Sequence, residues 1–226
     1  MTVLVVGATG MTGRRIVAAL GEEQPVRALV RSREKGREVL PGSVELVEGD
    51  VLRPETLSAA LAGVRTLFCA TGTRTGFGAN GAQQVDFEGT VALVDAARSA
   101  GVEHFVLVSS LCVSRLLHPL NLFGGVLIFK KRAEEHLIRS GLPFTIVRPG
   151  GLRDGAGGAE IVVSPADTLF EGTIDRADVA RVCVEASRSD TARDKIVEIV
   201  SGPGAAQSSL ERQFAQLPTA RPRAAV

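Results

Sequence analysis

The chain of 226 residues contains no tyrosine, so no phenol of its own can exchange a proton during catalysis. This absence matters most in the segment 125–137, "GVLIFKKRAEEHL", which is predicted to begin a helix and carries Lys130 and Lys131. One helical turn earlier stand Val126 and Leu127, and neither carries a hydroxyl group. Chemistry at these lysines would therefore need a proton from another group or from water.

Cysteine and histidine are also scarce, with three of each. Cys69, Cys112 and Cys183 lie far apart without paired ligand spacing, and we interpret them as buried, reduced thiols of a cytosolic protein. The histidines show no spacing typical of a metal site, so no metal is predicted. His118 and His136 are candidate acids, but isolated histidines are more often structural, and we assign them no role.

The chain lacks both an excess of charge and a long apolar run. Its 26 Lys and Arg nearly balance 25 Asp and Glu, which disfavours a nucleic-acid partner because no large basic surface would face the phosphates. The first predicted strand begins at Thr2, which leaves no room ahead of it for a secretion signal. The longest apolar stretch, 116–129, is interrupted by Pro119 and paired glycines and is too short to span a bilayer. We expect a soluble, cytoplasmic protein without a membrane span.

Short apolar runs rich in β-branched residues alternate with helical patterns along the chain. Runs of this kind are typical of parallel strands that are buried on both faces. Helical patterns occupy 10–23, 54–63 and 80–101. Strict alternation predicts right-handed crossovers and an α/β fold, a single domain with a Rossmann-type doubly wound parallel sheet. The predicted strands are 2–6, 26–30, 44–49, 66–70, 104–110 and 144–148.

The alternation loosens after about residue 150. We place the Rossmann domain at 1–201 and assign its elements from about residue 150 onward to the substrate side. These are a glycine-rich loop at 150–158, a short strand "EIVVS", a helix at 175–188 and a late strand "KIVEIV". Residues 202–226 show little periodicity and are expected to form a flexible tail.

A glycine triplet follows the first predicted strand in "VLVVGATGMTGRRIV". Gly7 would allow the tight turn, Gly10 the close approach of a pyrophosphate to the backbone, and Gly13 the packing of helix against strand. The free N–H groups at the start of the helix would face the anion. This context favours dinucleotide binding over a merely structural turn. The predicted contacts here are Gly7, Ala8, Thr9, Gly10, Met11, Thr12 and Gly13.

The end of the second predicted strand indicates which dinucleotide is bound. NAD sites usually carry Asp or Glu there, whereas this chain reads Arg31, Ser32 and Arg33. A guanidinium can hold a 2′-phosphate through two charge-assisted hydrogen bonds, so we predict NADP(H) as the cofactor. The alternative is that these arginines are simply solvent-exposed residues at the end of a strand.

Five motifs, of which the glycine turn is the first, carry a family resemblance: "GATGMTG", "EGDV", "CATG", "VLVSS" and "SGLPFTIVRPGGL". Together they resemble the atypical branch of the short-chain dehydrogenase/reductase superfamily, of the NAD(P)H-binding NmrA-like kind, over roughly residues 2–200. Segments 120–152 and 167–180 are similar to the dehydrogenase-like domain of the plastid inner-envelope translocon subunit. "GATGMTG", "GDV" and "GTR" are also similar to biliverdin reductase B, a flavin reductase.

This resemblance implies further site residues. Lys130 would reach the nicotinamide ribose, and Ser110 would occupy the catalytic-serine position. Each has a structural alternative, because Ser110 could bond the end of its own strand and Lys130 could be a solvated base beside Lys131 and Arg132. Asp50, likewise, could simply cap a turn. The remaining implied contacts are Asp50 and Val51 at the adenine, Ala70, Thr71 and Gly72 under the adenosine ribose, and Pro149 and Gly150 beside the nicotinamide.

The missing tyrosine narrows the chemistry that the family would allow. Carbonyl-reducing members use a Tyr-x-x-x-Lys pair, because hydride attack leaves an alkoxide that needs an acid nearby. Val126 occupies the tyrosine position here. A conjugated acceptor such as a flavin, a quinone or a tetrapyrrole-like ring spreads the charge and can take its proton from water, so it needs mainly positioning.

Two functions therefore stand. One is an NADPH-dependent oxidoreductase acting on a small conjugated acceptor, and the other is a non-catalytic redox sensor or scaffold that binds NADP(H). The apolar segment 116–129 could wall a flat pocket above the cofactor, or it could face a protein partner.

Overall fold

An eight-stranded sheet forms the centre of the computed structural model, which describes residues 2–21, 24–73, 78, 80–122, 124–202 and 209–221. Two further short strands pair beside it. The strands are β1 (Thr2–Val6), β2 (Val26–Val30), β3 (Glu45–Glu48), β4 (Val64–Cys69), β5 (His104–Val108), β6 (Phe144–Pro149), β7 (Gly151–Arg153), β8 (Ile161–Ser164), β9 (Thr173–Asp175) and β10 (Lys195–Ser201).

Seven α-helices connect and cover these strands in the described residues. Gln83–Glu88 is π-helical and runs directly into the fourth of them. Short 3₁₀ turns occur at Pro54–Thr56, Pro119–Leu122 and Asp190–Ala192. The helices are α1 (Met11–Leu20), α2 (Arg33–Val39), α3 (Leu57–Leu61), α4 (Gly89–Ser99), α5 (Val126–Arg139), α6 (Arg176–Arg188) and α7 (Leu210–Gln216).

The strand order in the large sheet is β3-β2-β1-β4-β5-β6-β10-β8. All neighbouring strands in it run parallel except β8, which pairs antiparallel with β10. The predicted Rossmann-type, doubly wound sheet is confirmed, with this antiparallel edge as an addition. The chain reverses its direction of winding between β1 and β4, and a crevice for a ligand opens outside the carboxyl ends of the strands at such a point.

Burial on both faces of the sheet explains why the predicted strands read as nearly continuous apolar runs. Val3 and Val5 of β1 pack on the side covered by α1 and α6, where Ile16 and Val182 are buried. Leu4 and Val6 belong to the other side, which is covered by α3, α4 and α5. Successive side chains of a strand point to opposite faces, so both alternating sets must be apolar.

The expectation of a flexible tail across 202–226 is wrong for the described part of that segment. Helix α7 packs on the rest of the protein with Phe214 fully buried. Farther along, Ala220 N donates to Asp194 O at 2.8 Å. Residues 203–208 and 222–226 lie outside the described residues.

The helix predicted over 80–101 divides into the π-helical segment and α4, and α2 was not predicted. Gly36 obscures the α2 pattern. Gly36 is buried against β3, where a Cβ on it would lie 3.0 Å from Leu46 Cδ1, so a larger residue would crowd this contact. Among the residues that the structure describes, none of the helices is long and apolar enough to cross a membrane.

Candidate functional site

The glycine triplet forms the turn between β1 and α1. Gly7 has φ +80°, and a Cβ on it would lie 2.6 Å from Ala70 O. Gly13 is packed just as closely, since its Cβ would lie 2.1 Å from Gly7 O. Gly10 stands at the N-cap of α1, where a Cβ would lie 3.1 Å from Gly7 O. Gly7 and Gly13 are thus required by the packing, whereas Gly10 leaves the start of the helix open.

A cleft of about 520 Å³ opens beside this turn, at the carboxyl ends of β1, β2, β3 and β4. Two features of the site suit a dinucleotide: the glycines of the turn, which leave the backbone there without side chains, and a helix N-terminus without an acidic residue in its first turn. Thr73, Asn80 and Val85 line it in addition to the predicted residues. The predicted residues that line it are Gly7, Thr9, Gly10, Arg31, Asp50, Val51, Ala70, Thr71 and Gly72.

The predicted residues in α1 do not line this cleft. Ala8 is fully buried in the core next to the turn. Met11 and Thr12 are half-buried in the first turn of the helix, and Gly13 packs against the turn. These residues shape the cleft rather than wall it.

The predicted phosphate clamp divides between two roles. Arg31 is exposed and lines the cleft at the end of β2. Ser32 caps α2 instead, since its hydroxyl oxygen accepts a hydrogen bond from Lys35 N at 3.3 Å. Arg33 is the first residue of α2 and is exposed, but it is not part of the cleft wall. Arg31 is therefore the guanidinium in position to meet a ligand.

Asp50 both caps a turn and lines the cleft. Its Oδ1 accepts a hydrogen bond from Leu52 N at 3.0 Å, and its own N–H donates to Thr56 Oγ1 at 3.0 Å. The turn-capping interpretation is thus confirmed. The half-buried side chain still contributes to the cleft wall, next to Val51.

Lys130 points toward the loop that follows β4. Its Nζ lies 2.8 Å from Asp86 Oδ1, and the Asp86 side chain is 0% exposed. Asp86 Oδ2 also accepts hydrogen bonds from Thr73 Oγ1 at 2.9 Å and from Thr73 N at 3.3 Å. Burial disfavours the charged lysine, but the adjacent Asp86 carboxylate outweighs it and raises the pKa of Lys130. Lys130 is therefore a fixed cation beside the cleft. Lys131 acts elsewhere: burial opposes the charge of Asp167, but a hydrogen bond with Ser114 and the charges of Arg148 and Lys131 outweigh it and lower the pKa of that carboxyl.

Asp86 was missed by the sequence analysis. It lies in the π-helical segment, and such segments are frequent at functional sites. A signal was present, because Asp86 stands three, four and seven positions before the buried residues Gly89, Thr90 and Leu93. An acidic residue on the buried stripe of a helix needs a partner, and here that partner is Lys130.

The serine that faces Lys130 is Ser109, the neighbour of the predicted Ser110. Ser109 is 6% exposed and lines a small cavity of about 10 Å³ together with Thr71, Asp86 and Lys130. Its Oγ has no hydrogen-bond partner among the described residues. Ser110 is half-buried at the end of β5 and does not line this cavity.

Comparison with known proteins identifies the family. A sequence profile described as NAD(P)H-binding matches residues 7–190. The chain belongs to this NAD(P)H-binding family. The resemblance to atypical short-chain dehydrogenase/reductases is confirmed, and so is the predicted cofactor as far as NAD(P)H.

Three relatives and one solved structure illustrate the family. The chain is 42% identical to an uncharacterised chloroplast protein of Arabidopsis thaliana, over 95% of this chain and 82% of the relative. It is 35% identical to Protein TIC 62, chloroplastic, of Pisum sativum, over 97% of this chain but 46% of that protein. It is 34% identical to sanguinarine reductase of Eschscholzia californica, over 97% of both chains. ChuY, an anaerobillin reductase from Escherichia coli O157:H7, matches with TM-score 0.76 and 26% identity, over 90% of this chain and 98% of the other. Because two of these relatives are chloroplastic, the cytoplasmic location stays a prediction.

Pro149 of this NAD(P)H-binding protein ends β6, and Gly150 follows it directly. Both are buried and neither lines the cleft. Gly150 N donates to Ile199 O at 2.9 Å, and a Cβ on Gly150 would lie 2.6 Å from Gly172 O. Gly150 thus makes room for the loop that precedes β9.

A buried charge cluster lies directly behind these two residues. Arg148 is 0% exposed, and its guanidinium makes two hydrogen bonds to Glu134 of α5, with Nε to Oε1 at 2.9 Å and Nη2 to Oε2 at 2.6 Å. Its Nη1 reaches Asp167 Oδ1 at 2.9 Å and Glu198 Oε1 at 3.2 Å. Burial opposes its charge, but the hydrogen bonds and the charge of Glu134 outweigh it, so the pKa of Arg148 is raised. The cluster ties α5, which carries Lys130, to β6 and β10.

The exposed leucines of the apolar segment 116–129 line neither the cleft nor the small cavity beside Lys130. Leu117 is 100% exposed. Asn121 instead organises this region, because its Oδ1 accepts hydrogen bonds from Leu127 N at 3.0 Å and Ile128 N at 3.3 Å at the start of α5. Phe123 lies outside the described residues. The other exposed leucines of this segment are Leu116, Leu120 and Leu122.

The three cysteines are free and buried, as predicted. Burial raises the pKa of each thiol, that of Cys183 to about 12. Cys69 Sγ lies 3.3 Å from Thr71 Oγ1, next to the cleft. None of the three is poised as a reactive thiolate at neutral pH.

Proposed function

We propose that this protein is an NADPH-dependent oxidoreductase that passes a hydride to a conjugated acceptor without a tyrosine acid. The observation that carries the proposal is the cleft of about 520 Å³, which is lined by Gly7, Gly10 and Arg31. The fixed cation Lys130 lies near the loop after β4, which lines this cleft. The names of two relatives, sanguinarine reductase and anaerobillin reductase, support the oxidoreductase class.

NADPH is preferred over NADH because of the chemistry at the end of β2. Arg31 lines the cleft there, at the position where a carboxylate would accept hydrogen bonds from the ribose of NADH. Its guanidinium can donate to a 2′-phosphate, and exposed Arg33 adds positive charge nearby.

The remaining cofactor contacts are those that the family resemblance implies; of these, Asp50, Val51 and the stretch 70–72 line the cleft. Asp50 and Val51 would face the adenine. The stretch 70–72 would lie under the adenosine ribose, and Lys130 would reach the ribose of the nicotinamide. Pro149 and Gly150 would border the nicotinamide from behind.

The reaction balances without a protein acid. When bound, NADPH supplies a hydride, and acceptor, NADPH and one proton give the reduced acceptor and NADP⁺. Val126 opens α5 at the position of the family's tyrosine, so the proton comes from solvent. Lys130 remains charged through its pair with Asp86 and serves for binding and orientation rather than as a proton donor. Delocalised charge on the acceptor makes that arrangement sufficient.

A redox sensor or scaffold is the second candidate, and one observation favours it. Leu116, Leu117, Leu120 and Leu122 are exposed by 46–100%, which is an unusual group of apolar side chains to leave in water. A protein that reported NADP(H) occupancy to a partner would need the cleft and such a surface but no acceptor.

A turnover assay separates the two candidates. Purified protein is mixed with NADPH, and the loss of its absorbance is followed with FMN, a benzoquinone, biliverdin or a simple ketone. The proposal predicts turnover with at least one conjugated acceptor and none with the ketone. Fast ketone reduction would contradict the mechanism, and tight NADPH binding without turnover on a broader panel would favour the sensor.

A further inference from the structure

The loop 165–172, between β8 and β9, is held in place by one buried carboxylate. Glu198 of β10 is fully buried. Its Oε1 accepts from Asp167 N at 2.8 Å, and its Oε2 accepts from Thr168 N at 3.1 Å and Leu169 N at 2.8 Å. Three consecutive backbone donors on one carboxylate fix the loop far more firmly than exposed turn hydrogen bonds would.

The loop is also tied to the end of β6. Arg148 links the Asp167 side chain to Glu198, with Nη1 to Asp167 Oδ1 at 2.9 Å. At the other end of the loop, Gly151 N donates to Gly172 O at 2.9 Å. The loop therefore lies against the stretch 149–151, which borders the nicotinamide in the proposed function.

An aromatic ring and a guanidinium stand together on this loop. Phe170 is 43% exposed, and the guanidinium carbon of Arg115 lies 3.8 Å from the centre of its ring. Cys112 Sγ donates to Phe170 O at 3.3 Å, so the loop and the segment after β5 are joined at this point. A rigid, half-exposed ring is an efficient stacking surface because it loses little conformational entropy on binding.

The guanidinium of Arg115 is stacked on the ring, and no carboxylate of the described residues pairs with it. Among the described residues, no hydrogen bond or ion pair engages its N–H groups. Stacking uses the face of the guanidinium and leaves its N–H edge free for an anion. Exposed Glu171 follows Phe170 and opposes any general attraction of anions, so the expected effect depends on direct contact with Arg115.

We propose that Phe170 and Arg115 form the acceptor-binding surface, and that its ligand is a planar conjugated molecule carrying a phosphate or carboxylate group. The ring of Phe170 stacks on the acceptor, and Arg115 binds its anionic substituent. Glu198 and Arg148 are positioning residues that hold this surface beside the nicotinamide edge. The inference rests on the proposed function, since it specifies the acceptor of that reaction.

FMN and riboflavin form a matched pair of probes, because they share the ring system and differ in the phosphate. Binding is measured by the anisotropy of flavin fluorescence with saturating NADP⁺ present. The wild type should bind FMN about tenfold more tightly than riboflavin, as expected for a charge-assisted hydrogen bond. Arg115→Gln should abolish that ratio, and Phe170→Leu should weaken both flavins about fivefold.

Arg132→Gln is the control, because Arg132 also lies over a phenylalanine, Phe129, at 5.7 Å on α5. It should leave both affinities unchanged. Equal affinity for FMN and riboflavin in the wild type, or an FMN preference that survives Arg115→Gln, would overturn the inference. So would a complete lack of flavin binding.

Positioning by Glu198 is tested by hydrogen exchange. Glu198→Gln should speed exchange of the amides at 167–169 and weaken FMN binding, with NADP⁺ affinity unchanged. If this variant does not fold, Asp167→Asn, at the half-exposed end of the cluster, gives the same test with a smaller expected effect. Unchanged exchange and unchanged FMN affinity in a folded variant would overturn the positioning role. Selective FMN binding that depends on Arg115, without NADPH oxidation on the broader acceptor panel, would refute the proposed function but would leave Phe170 and Arg115 as a binding surface, because binding is measured without turnover.

Discussion

Replacing Asp86 by Asn should destabilise the protein through Lys130. The substitution retains the size of the side chain and a carbonyl oxygen for Thr73, but it removes the countercharge 2.8 Å from Lys130 Nζ. Removing one partner of a buried ion pair costs about 3–5 kcal/mol. Lys130 is 16% exposed, so we expect the lower end, about 3 kcal/mol. For a chain of this length that corresponds to a fall in Tm of about 6–12 °C.

The loss should depend on pH in a direction that the structure fixes. In the wild type the folded-state pKa of Lys130 is raised, so its stabilising contribution is full below the unfolded pKa and is lost as pH rises through the folded pKa. In Asp86→Asn burial remains without the carboxylate, and the pKa of Lys130 falls. The buried lysine then destabilises the variant fully at a pH below its lowered folded pKa, and this cost shrinks as pH rises from the folded pKa to the unfolded pKa, above which it is lost.

Urea unfolding at pH 7 and at about pH 10 measures both effects. The difference in the free energy of unfolding between wild type and variant should be full at pH 7 and smaller at the higher pH. Glu135→Gln is the control, because it breaks the exposed pair with Arg139 at 3.9 Å and should change stability by less than about 0.5 kcal/mol. A loss as small as the control's, or one that does not change with pH, would refute the reasoning.

Three further predictions concern the cofactor cleft and its chemistry. Gly10→Val should abolish NADP(H) binding in a folded protein, whereas Gly13→Val should unfold it, since a Cβ there lies 2.1 Å from Gly7 O; circular dichroism and NADPH fluorescence report the two outcomes, and intact binding by Gly10→Val would exclude the site. Arg31→Ala should weaken NADPH by about 1.5–3 kcal/mol and leave NADH nearly unchanged, with a smaller effect for Arg33→Ala; equal losses for both cofactors in titration calorimetry would indicate a structural role. Ser110→Ala should slow turnover only a few-fold, as judged from kcat, because this hydroxyl has no phenol to assist; a loss of about a thousandfold would show that it is an essential acid or base.

The sheet and the glycine turn could be predicted because their signals are local. Strand β1 is buried on both faces, so its five residues read as one apolar run. Gly7 and Gly13 stand where backbone atoms approach within the radius of a methyl group. The apolar run and the glycine spacing are visible within a few residues of sequence, even though the backbone that crowds Gly7 belongs to Ala70, after β4.

The charge pairs could not be predicted because they join distant parts of the chain. Lys130 and Asp86 belong to different helical segments and meet only when both pack on β5. Arg148 was read as an ordinary strand residue, and its partner Glu198 as part of a late strand. Helix α7 was missed because it is short: its inward face consists of Leu210 and Phe214, with Leu217 directly after the helix.

The cluster around Arg148 also constrains how related chains can diverge. Glu134, Arg148 and Glu198 are all fully buried, so they carry two negative charges and one positive charge in the interior. Loss of Arg148 alone would strand two carboxylates, and loss of either glutamate would remove hydrogen-bond acceptors from the guanidinium or from the loop. Each single step therefore passes through a destabilised intermediate. We expect homologues to retain the three residues together or to replace them together, so that they co-vary as a unit.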